Sequence, residues 1–309
     1  MDPLSRLVGL VRPEGSIDVR CLLAGRFALD NPVSPSGEVP FHIVLAGRCA
    51  AEFAGRTIHL RAGDVLLFPR GTAHRVLADH GDGPFAMVEE PGTAFPLRRS
   101  RGAEPEVDLL CGCYRVAPGA GDLLFRMLPE VLHVSLGAEG FEPVRMLSAL
   151  IRREANAGGP GTAAVVSSLC NALLAMVLRS SPDQRISGDV PWTGADDAAV
   201  LCVIDTVLRE PGRDWSITAF ATRTAMSRAT FVRHFTQATG MTVGRFVTRL
   251  RMMIAADLLA TGHRSVSAVA EAVGYRSVSS FGRAFRAATS TNPARFRADA
   301  RPATARGDR

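Results

Sequence analysis

There is no lysine in this chain: all 36 basic side chains are arginine. We read that as the coding bias of GC-rich DNA rather than as a functional device. Aromatic residues are sparse, at 6%, with two Trp and two Tyr. No apolar run approaches the roughly 20 residues of a membrane span, so no membrane partner is expected. The opening MDPLSRLVGL has an acid at position 2 and no small-residue cleavage site, which argues against a secretory leader. A cytoplasmic location is therefore expected. The six cysteines would then be reduced. That excludes a structural disulfide framework and leaves metal ligation or redox switching as roles for a thiol.

What is present suffices for two full cores: 309 residues, 47% of them hydrophobic. Charge is divided unevenly. Residues 1–195 carry 19 Arg against 21 acids, a net of −2, whereas residues 196–309 carry 17 Arg against 9 acids, a net of +8. The basic half is the one suited to nucleic-acid phosphates.

The fold class reads as mixed: a β-barrel with helices first, then an all-α domain. In residues 17–92, short β-rich runs (IDVRCLL, FHIVLAG, AAEFAG, RTIHL, DVLLFP, HRVLA) are separated by Gly, Pro and Asp. Such spacing predicts a small barrel or sandwich. Near position 100, PLRRSRGAEPEVD reads as an exposed loop, and VDLLCGCYRV as one more strand. From Leu123 to Ser181 the apolar spacing turns helical, with Val165, Val166, Leu169, Leu173, Leu174 and Val177 on one face. That face could form a dimer seam or pack on its own domain. The Pro-, Gly- and Ser-rich segment 181–195 reads as a linker. The expected domains are thus 1–180, a sensor with C-terminal dimerisation helices, and 196–300, a DNA-binding domain.

Two helix-turn-helix units stand in series, from Trp215 to Gly240 and from Ser265 to Ser290. No other internal repeat is evident. Ser216, Ser227 and Ser277 are placed to cap helices. Phe231 with Phe235, and Phe281 with Phe285, are four apart and should face the core. Ala229, Thr230, Val232, Arg233 and His234 are left outside in the first unit, and Val278, Ser279, Gly282, Arg283 and Arg286 in the second. Residues 243–262 read as one long helix joining the units.

Residues 215–297 closely resemble the DNA-binding domain of AraC/XylS-type transcriptional regulators. Ala221, Met226-Ser227-Arg228, Phe235, Gly240, Leu250-Arg251, Val273-Gly274-Tyr275, Ser280-Phe281, Arg283-Ala284-Phe285 and Phe296-Arg297 carry the match. Ala225 departs from it, standing where the family usually has Gly. The resemblance implies double-stranded DNA and RNA polymerase as partners, and a homodimer. It implies base contacts from Ala229, Val232, Arg233, Val278, Ser279 and Arg283. Ser227, Thr230, Ser277, Ser280 and Arg286 are then candidates for phosphate contacts.

The first half resembles the cupin-type domain of a subset of these regulators, chiefly through RAGDVLLFPRGTAH (61–74), FHIVLAGRC (41–49) and LLCGCYRV (109–116). In cupins these motifs line a barrel cavity. Cys21, His42 and His74 then stand out, a set that would suit zinc, with Cys111, Cys113 or water as fourth ligand. Cupin enzymes commonly show HxHxxxxE and a later His. Here a single His42 is followed by IVLAG without the Glu, so catalytic iron is not expected, and no enzyme is. Cys49, Cys170 and Cys202 read as core, and His133 as a structural hydrogen-bonding residue.

The chain as a whole is most similar to cupin-type AraC regulators that respond to reactive chlorine species. That resemblance implies an activator in which Cys21 and Cys111 are redox-active, oxidised to a Cys21–Cys111 disulfide or losing a metal ligand. Cys113, two residues on and on the same strand face as Cys111, could substitute. Two readings compete: a barrel that binds a small organic effector, and a cupin enzyme with a DNA-binding tail.

Overall fold

The structure is a computed structural model. It describes residues 1–300 apart from positions 80, 93, 117–118, 136–141, 181–184 and 188–196. In chain order the elements begin with α1 (Pro3–Val11), β1 (Glu14–Leu23), β2 (Phe27–Asn31), β3 (Glu38–Ala46), β4 (Arg48–Phe53), β5 (Arg56–Arg61), β6 (Asp64–Leu67) and β7 (His74–Ala78). Next come β8 (Met87–Glu90), β9 (Leu97–Ser100), β10 (Val107–Arg115), α2 (Ala120–Met127), β11 (Leu132–Ser135), α3 (Glu142–Ala157), α4 (Thr162–Arg179) and β12 (Arg185–Ser187). The remainder is helical: α5 (Ala198–Arg209), α6 (Ile217–Arg223), α7 (Arg228–Thr239), α8 (Val243–Thr261), α9 (Val266–Ala272), α10 (Val278–Thr289) and α11 (Pro293–Ala300).

These elements form two compact units that are not collinear with the sequence. One takes Pro13–Arg115 and Leu128–Asp189; the other takes Met1–Arg12, Val116–Met127 and Val190–Arg309. The expected division at 180 and 196 is therefore amended, because α1 and α2 belong with the DNA-binding helices. The reason is apolar burial. Leu7 and Val11 of α1, and Leu124, Phe125 and Met127 of α2, are buried; α1 packs on α5, and α2 on α8. Arg6 pairs with Asp205 at 3.4 Å and Arg12 with Asp257 at 3.1 Å.

In the sheet unit an eight-stranded sheet, ordered β12-β11-β6-β3-β10-β1-β9-β8, faces a four-stranded sheet, β2-β7-β4-β5. Alternate residues of both sheets fill one core, including Leu23, Phe27, Val44, Phe53, Leu60, Phe68, Val76 and Leu109. The 61–74 motif behaves as its residues require. Gly63 takes φ +90° and Gly71 φ +63°, conformations that favour glycine. Between them β6 is buried along its whole length.

Three expectations are corrected. The loop near position 100 contains β9, which pairs in parallel with β1, Cys21 lying opposite Arg98. A partner some 77 residues away in the chain leaves no local signature in composition, since 98 minus 21 is 77. The helical stretch after Leu123 is interrupted by β11, whose His133 Nε2 donates to Asp64 Oδ2, 3.0 Å away, inside the core. Residues 185–187, read as linker, form β12 on β11; the rest of 181–195, apart from these three, lies outside the described residues.

α4 meets the length and composition of a membrane span, 18 residues at mean hydropathy 1.6, so the expectation that no segment comes near one is also amended. Its Val166, Cys170, Leu173, Leu174 and Val177 are buried in packing on β1 and α3. That is the own-domain alternative for this apolar face. Val165 remains exposed, as do Met146 and Leu150 of α3.

Candidate functional site

Each helix-turn-helix unit is built by local chemistry. Ser216 Oγ accepts from Ala219 N at 3.1 Å, Ser227 Oγ from Thr230 N at 3.2 Å, Ser265 Oγ from Ala268 N at 3.1 Å and Ser277 Oγ from Ser280 N at 3.3 Å. All four hydroxyls satisfy backbone donors left unpaired at helix starts. The scarce aromatics concentrate behind the recognition helices. Phe220, Phe231, Phe235 and Phe246 run in sequence with centroid spacings of 6.1, 5.7 and 5.2 Å. Tyr275, Phe281, Phe285 and Phe296 repeat the arrangement at 5.6, 5.6 and 5.3 Å. These rings fix which faces of α7 and α10 point outward.

Those outward faces carry the expected residues. Ala229, Thr230, Arg233, Ser277, Val278, Ser279, Arg283 and Arg286 are exposed, and Val232 and Ser280 are half-buried. Val278 leaves 47% of its surface in solvent, unusual for an aliphatic side chain at a helix start. Arg283 donates to Ser279 Oγ at 3.1 Å, so the two candidate base readers of α10 are held together. His234 is not free for DNA: its Nε2 pairs with Asp197 Oδ2 at 2.7 Å.

The two turns differ at one residue. Gly274 takes φ +85° and Ala225 φ +54°. Ala225 therefore keeps the turn that the family builds with Gly and accepts a left-handed conformation costing about 1–2 kcal/mol for a residue with a Cβ. Ala225→Gly is expected to raise stability by roughly 0.5–1 kcal/mol after the greater unfolded-state entropy of Gly is offset. Urea unfolding checks this; an unchanged midpoint contradicts it.

In the sheet unit Cys21, Cys111, His42 and His74 form a row. Cys111 lies across from His42 in the β10–β3 register and diagonally from Cys21 in the β1–β10 register, where Cys21 opposes Leu109 and Val19 opposes Cys111. The Thr72 carbonyl accepts from His74 Nδ1 at 2.8 Å, which leaves His74 Nε2 as acceptor for His42 Nε2 at 2.6 Å. His42 then turns Nδ1 toward Cys111 Sγ at 3.2 Å. Phe68 stacks on His74 with ring centroids 3.7 Å apart.

The two thiols differ in acidity. A hydrogen bond with Cys111 holds the Cys21 thiol below its ordinary value, helped by the Arg98 guanidinium and opposed by burial. The same hydrogen bond and burial push Cys111 well above it. Arg98 had no motif to mark it in the sequence, and Phe68 and Thr72 lay within the 61–74 motif without being singled out; register and stacking reveal them. Cys113 lies between Ser16 and Pro40 in the ladder, away from His42. Cys49 and Cys170 are buried, as expected, and Cys202 is half-buried.

The zinc set is not gathered around a point. His42 stands between Cys111 and His74 with both ring nitrogens engaged. Among the described residues no three His, Cys, Asp or Glu side chains are placed to hold a metal. In this arrangement Cys21, His42 and His74 do not converge on one point.

Burial, with His74 beside it, holds His42 neutral, its pKa pushed down to about 3 from 6.5. Because the folded value is depressed, the unfolded chain binds the extra proton between those limits. Stability should therefore fall as pH drops below 6.5, by up to about 1.4 kcal/mol per pH unit. Chemical denaturation across pH, in the wild type and in His42→Asn, measures this; equal slopes in the two proteins contradict it.

A mouth cavity of about 680 Å³ beside the row is lined by His74, Asp30, Glu52, Arg56 and Arg75 among others.

Comparison with known proteins agrees with both halves. Residues 2–182 match the cupin family model, and residues 220–299 a helix-turn-helix domain model. An uncharacterized HTH-type transcriptional regulator of Haemophilus influenzae is 30% identical over 298 residues, covering 96% of this chain and 98% of the relative. The HTH-type transcriptional regulator MtrA of Neisseria gonorrhoeae is 29% identical, covering 96% of this chain and 98% of its own. The RCS-specific HTH-type transcriptional activator RclR of Escherichia coli is 28% identical, covering 96% and 97%. With the exposed recognition faces of α7 and α10, these matches place the chain: it belongs to the AraC-family helix-turn-helix transcriptional regulators that carry an N-terminal cupin domain.

Proposed function

We propose that this regulator is a cytoplasmic transcriptional activator that binds DNA sequence-specifically and senses a two-electron oxidant through Cys21 and Cys111. The observation that carries the proposal is the thiol pair itself, two hydrogen-bonded cysteines of opposite acidity shift on adjacent strands. A more acidic thiol is the better nucleophile at neutral pH. With hypochlorous acid, the Cys21 thiolate takes the chlorine to give S–Cl and hydroxide. The Cys111 sulfur then displaces chloride, its proton leaves, and an S–S bond forms. The protein loses two electrons, and the reduced pair loses two hydrogens.

Diagonal cross-strand positions are about 7–8 Å apart at Cα, whereas a disulfide usually holds Cα atoms within about 6.8 Å. Oxidation would thus draw β1 and β10 together. β1 follows α1 in the chain, and β10 leads through residues 116–119 to α2; both helices belong to the DNA-binding unit. The covalent chain is the path by which a strained ladder acts on it. The exposed Met146, Leu150 and Val165 are the face we assign to a second copy in a homodimer, and RNA polymerase is the partner implied by activation. A reporter driven by the regulated promoter tests the sensing: Cys111→Ser should silence the oxidant response, and a normal response rejects the pair.

The mouth cavity beside His74 supports a second reading, in which a small polar effector binds the barrel. Saturable effector binding to a protein with both cysteines changed to serine would favour it.

A further inference from the structure

The two helix-turn-helix units are tied together at a second place besides the length of α8. The connector between α5 and α6, which leads into the first unit, is stiffened by its own bonds. The Glu210 carbonyl accepts from Arg213 N at 3.2 Å and from Trp215 Nε1 at 2.9 Å. The Arg213 guanidinium lies over the Trp215 ring, 4.4 Å from its centroid. This connector sits against the turn between α9 and α10, inside the second unit. A Cβ on Gly212 would meet the Ala272 carbonyl oxygen at 3.0 Å, and one on Gly274 would meet the Gly212 carbonyl oxygen at 2.9 Å. Glycine on both sides lets the two stretches of backbone touch.

Arg251, in the middle of α8, closes this contact. Its Nη2 donates to the Arg213 carbonyl at 2.7 Å. The same guanidinium lies along the Gly274 turn, where a Cβ would meet Nη2 at 3.1 Å and Cζ at 3.2 Å. A hydrogen bond from a charged, planar donor is among the stronger ones. The carbonyl it holds lies two residues before Trp215, which stacks on Phe220 with centroids 5.8 Å apart; Phe220 heads the row of rings behind α7. The turn it supports leads directly into Tyr275, which heads the row behind α10. Both rows therefore start beside one guanidinium, and each row fixes the outward face of one recognition helix.

We propose that Arg251 is a positioning residue that sets the register between α7 and α10, and with it the spacing of the two half-sites that the protein accepts. It acts through Arg213 and Gly274, and no base contact is assigned to it. One base pair added between half-sites rotates the second by roughly 35° and moves it by about 3.4 Å. A rigid pair of helices cannot follow that rotation, whereas a pair hinged on α8 alone follows part of it. Linked modules gain affinity only where geometry lets both engage at once. The proposal rests on sequence-specific reading by both units and stands apart from Cys21 and Cys111.

The test uses the full-length reduced protein and a site selected from random DNA. Three derivatives of that site are compared with it: one with a base pair inserted between the half-sites, and one with each half-site scrambled. The wild type should lose at least about tenfold in affinity on the insertion. Arg251→Gln should match the wild type on the scrambled sites, bind the intact site several-fold more weakly, and lose about threefold or less on the insertion. Arg251→Lys can still donate to the Arg213 carbonyl and should restore most of the insertion penalty. Gly212→Ala, at an exposed position, pushes the connector off the Ala272 carbonyl without touching the guanidinium, and should relax the spacing as Arg251→Gln does. A phosphate contact from Arg251 would instead weaken every site equally and lower the salt slope by about one. That outcome, or a wild-type insertion penalty in both Arg251→Gln and Gly212→Ala, overturns the proposal. A wild-type protein that selects no two-part site rejects the reading by both units, and the proposal with it.

Discussion

Arg283→Ala is expected to weaken specific DNA binding by about 1–3 kcal/mol, roughly 5- to 150-fold, with discrimination lost at one base pair. The expectation comes from position. Arg283 lies on the exposed face of α10, opposite the Phe281 and Phe285 rings that anchor the helix. Ser279 holds its guanidinium at 3.1 Å, so less side-chain freedom is lost on binding. A phosphate contact would behave differently. Arg286→Ala should weaken all sequences about equally and lower the salt slope by roughly one unit. A binding site selected from random DNA with the wild-type protein, then titrated with each variant, separates the two. Unchanged affinity and specificity in Arg283→Ala would remove α10 from the role of reader.

Cys21→Ser should abolish the response to oxidant while leaving DNA affinity of the reduced protein intact. Serine nearly matches the volume of cysteine, and Cys21 is fully buried, so the core should survive. What is lost is the more acidic thiol of the pair, which lies opposite Arg98. Arg98→Gln should slow oxidation without abolishing it, because the Cys111 hydrogen bond is the larger influence on Cys21. A promoter reporter paired with the rate of thiol loss in the purified protein reads both effects. A Cys21→Ser strain that still responds fully to hypochlorite would sink the redox reading.

The DNA-binding half was legible because its signals are local. Caps at Ser216, Ser227 and Ser277, paired phenylalanines four apart and a turn at each unit are all read within one or two helical turns. The 61–74 motif was legible for the same reason, its two glycines marking turns about a buried strand. What could not be read required partners distant in sequence. β9 exists because β1 accepts it, and β11 because β6 does. α1 and α2 join the DNA-binding unit through apolar faces whose destination no local pattern specifies. The individual members Cys21, His42, His74 and Cys111 could be picked out, but their order in the row could not. That order comes from register, which places Cys111 between Cys21 and His42.

The most direct test of the central claim is peptide mass spectrometry of the purified, reduced protein after one equivalent of hypochlorite, with and without subsequent thiol reductant. A loss of two hydrogens, mapped to a Cys21–Cys111 linked peptide and restored by reductant, is the expected result. Oxidation confined to methionines or to Cys113 and Cys202, with Cys21 still a free thiol, would contradict it.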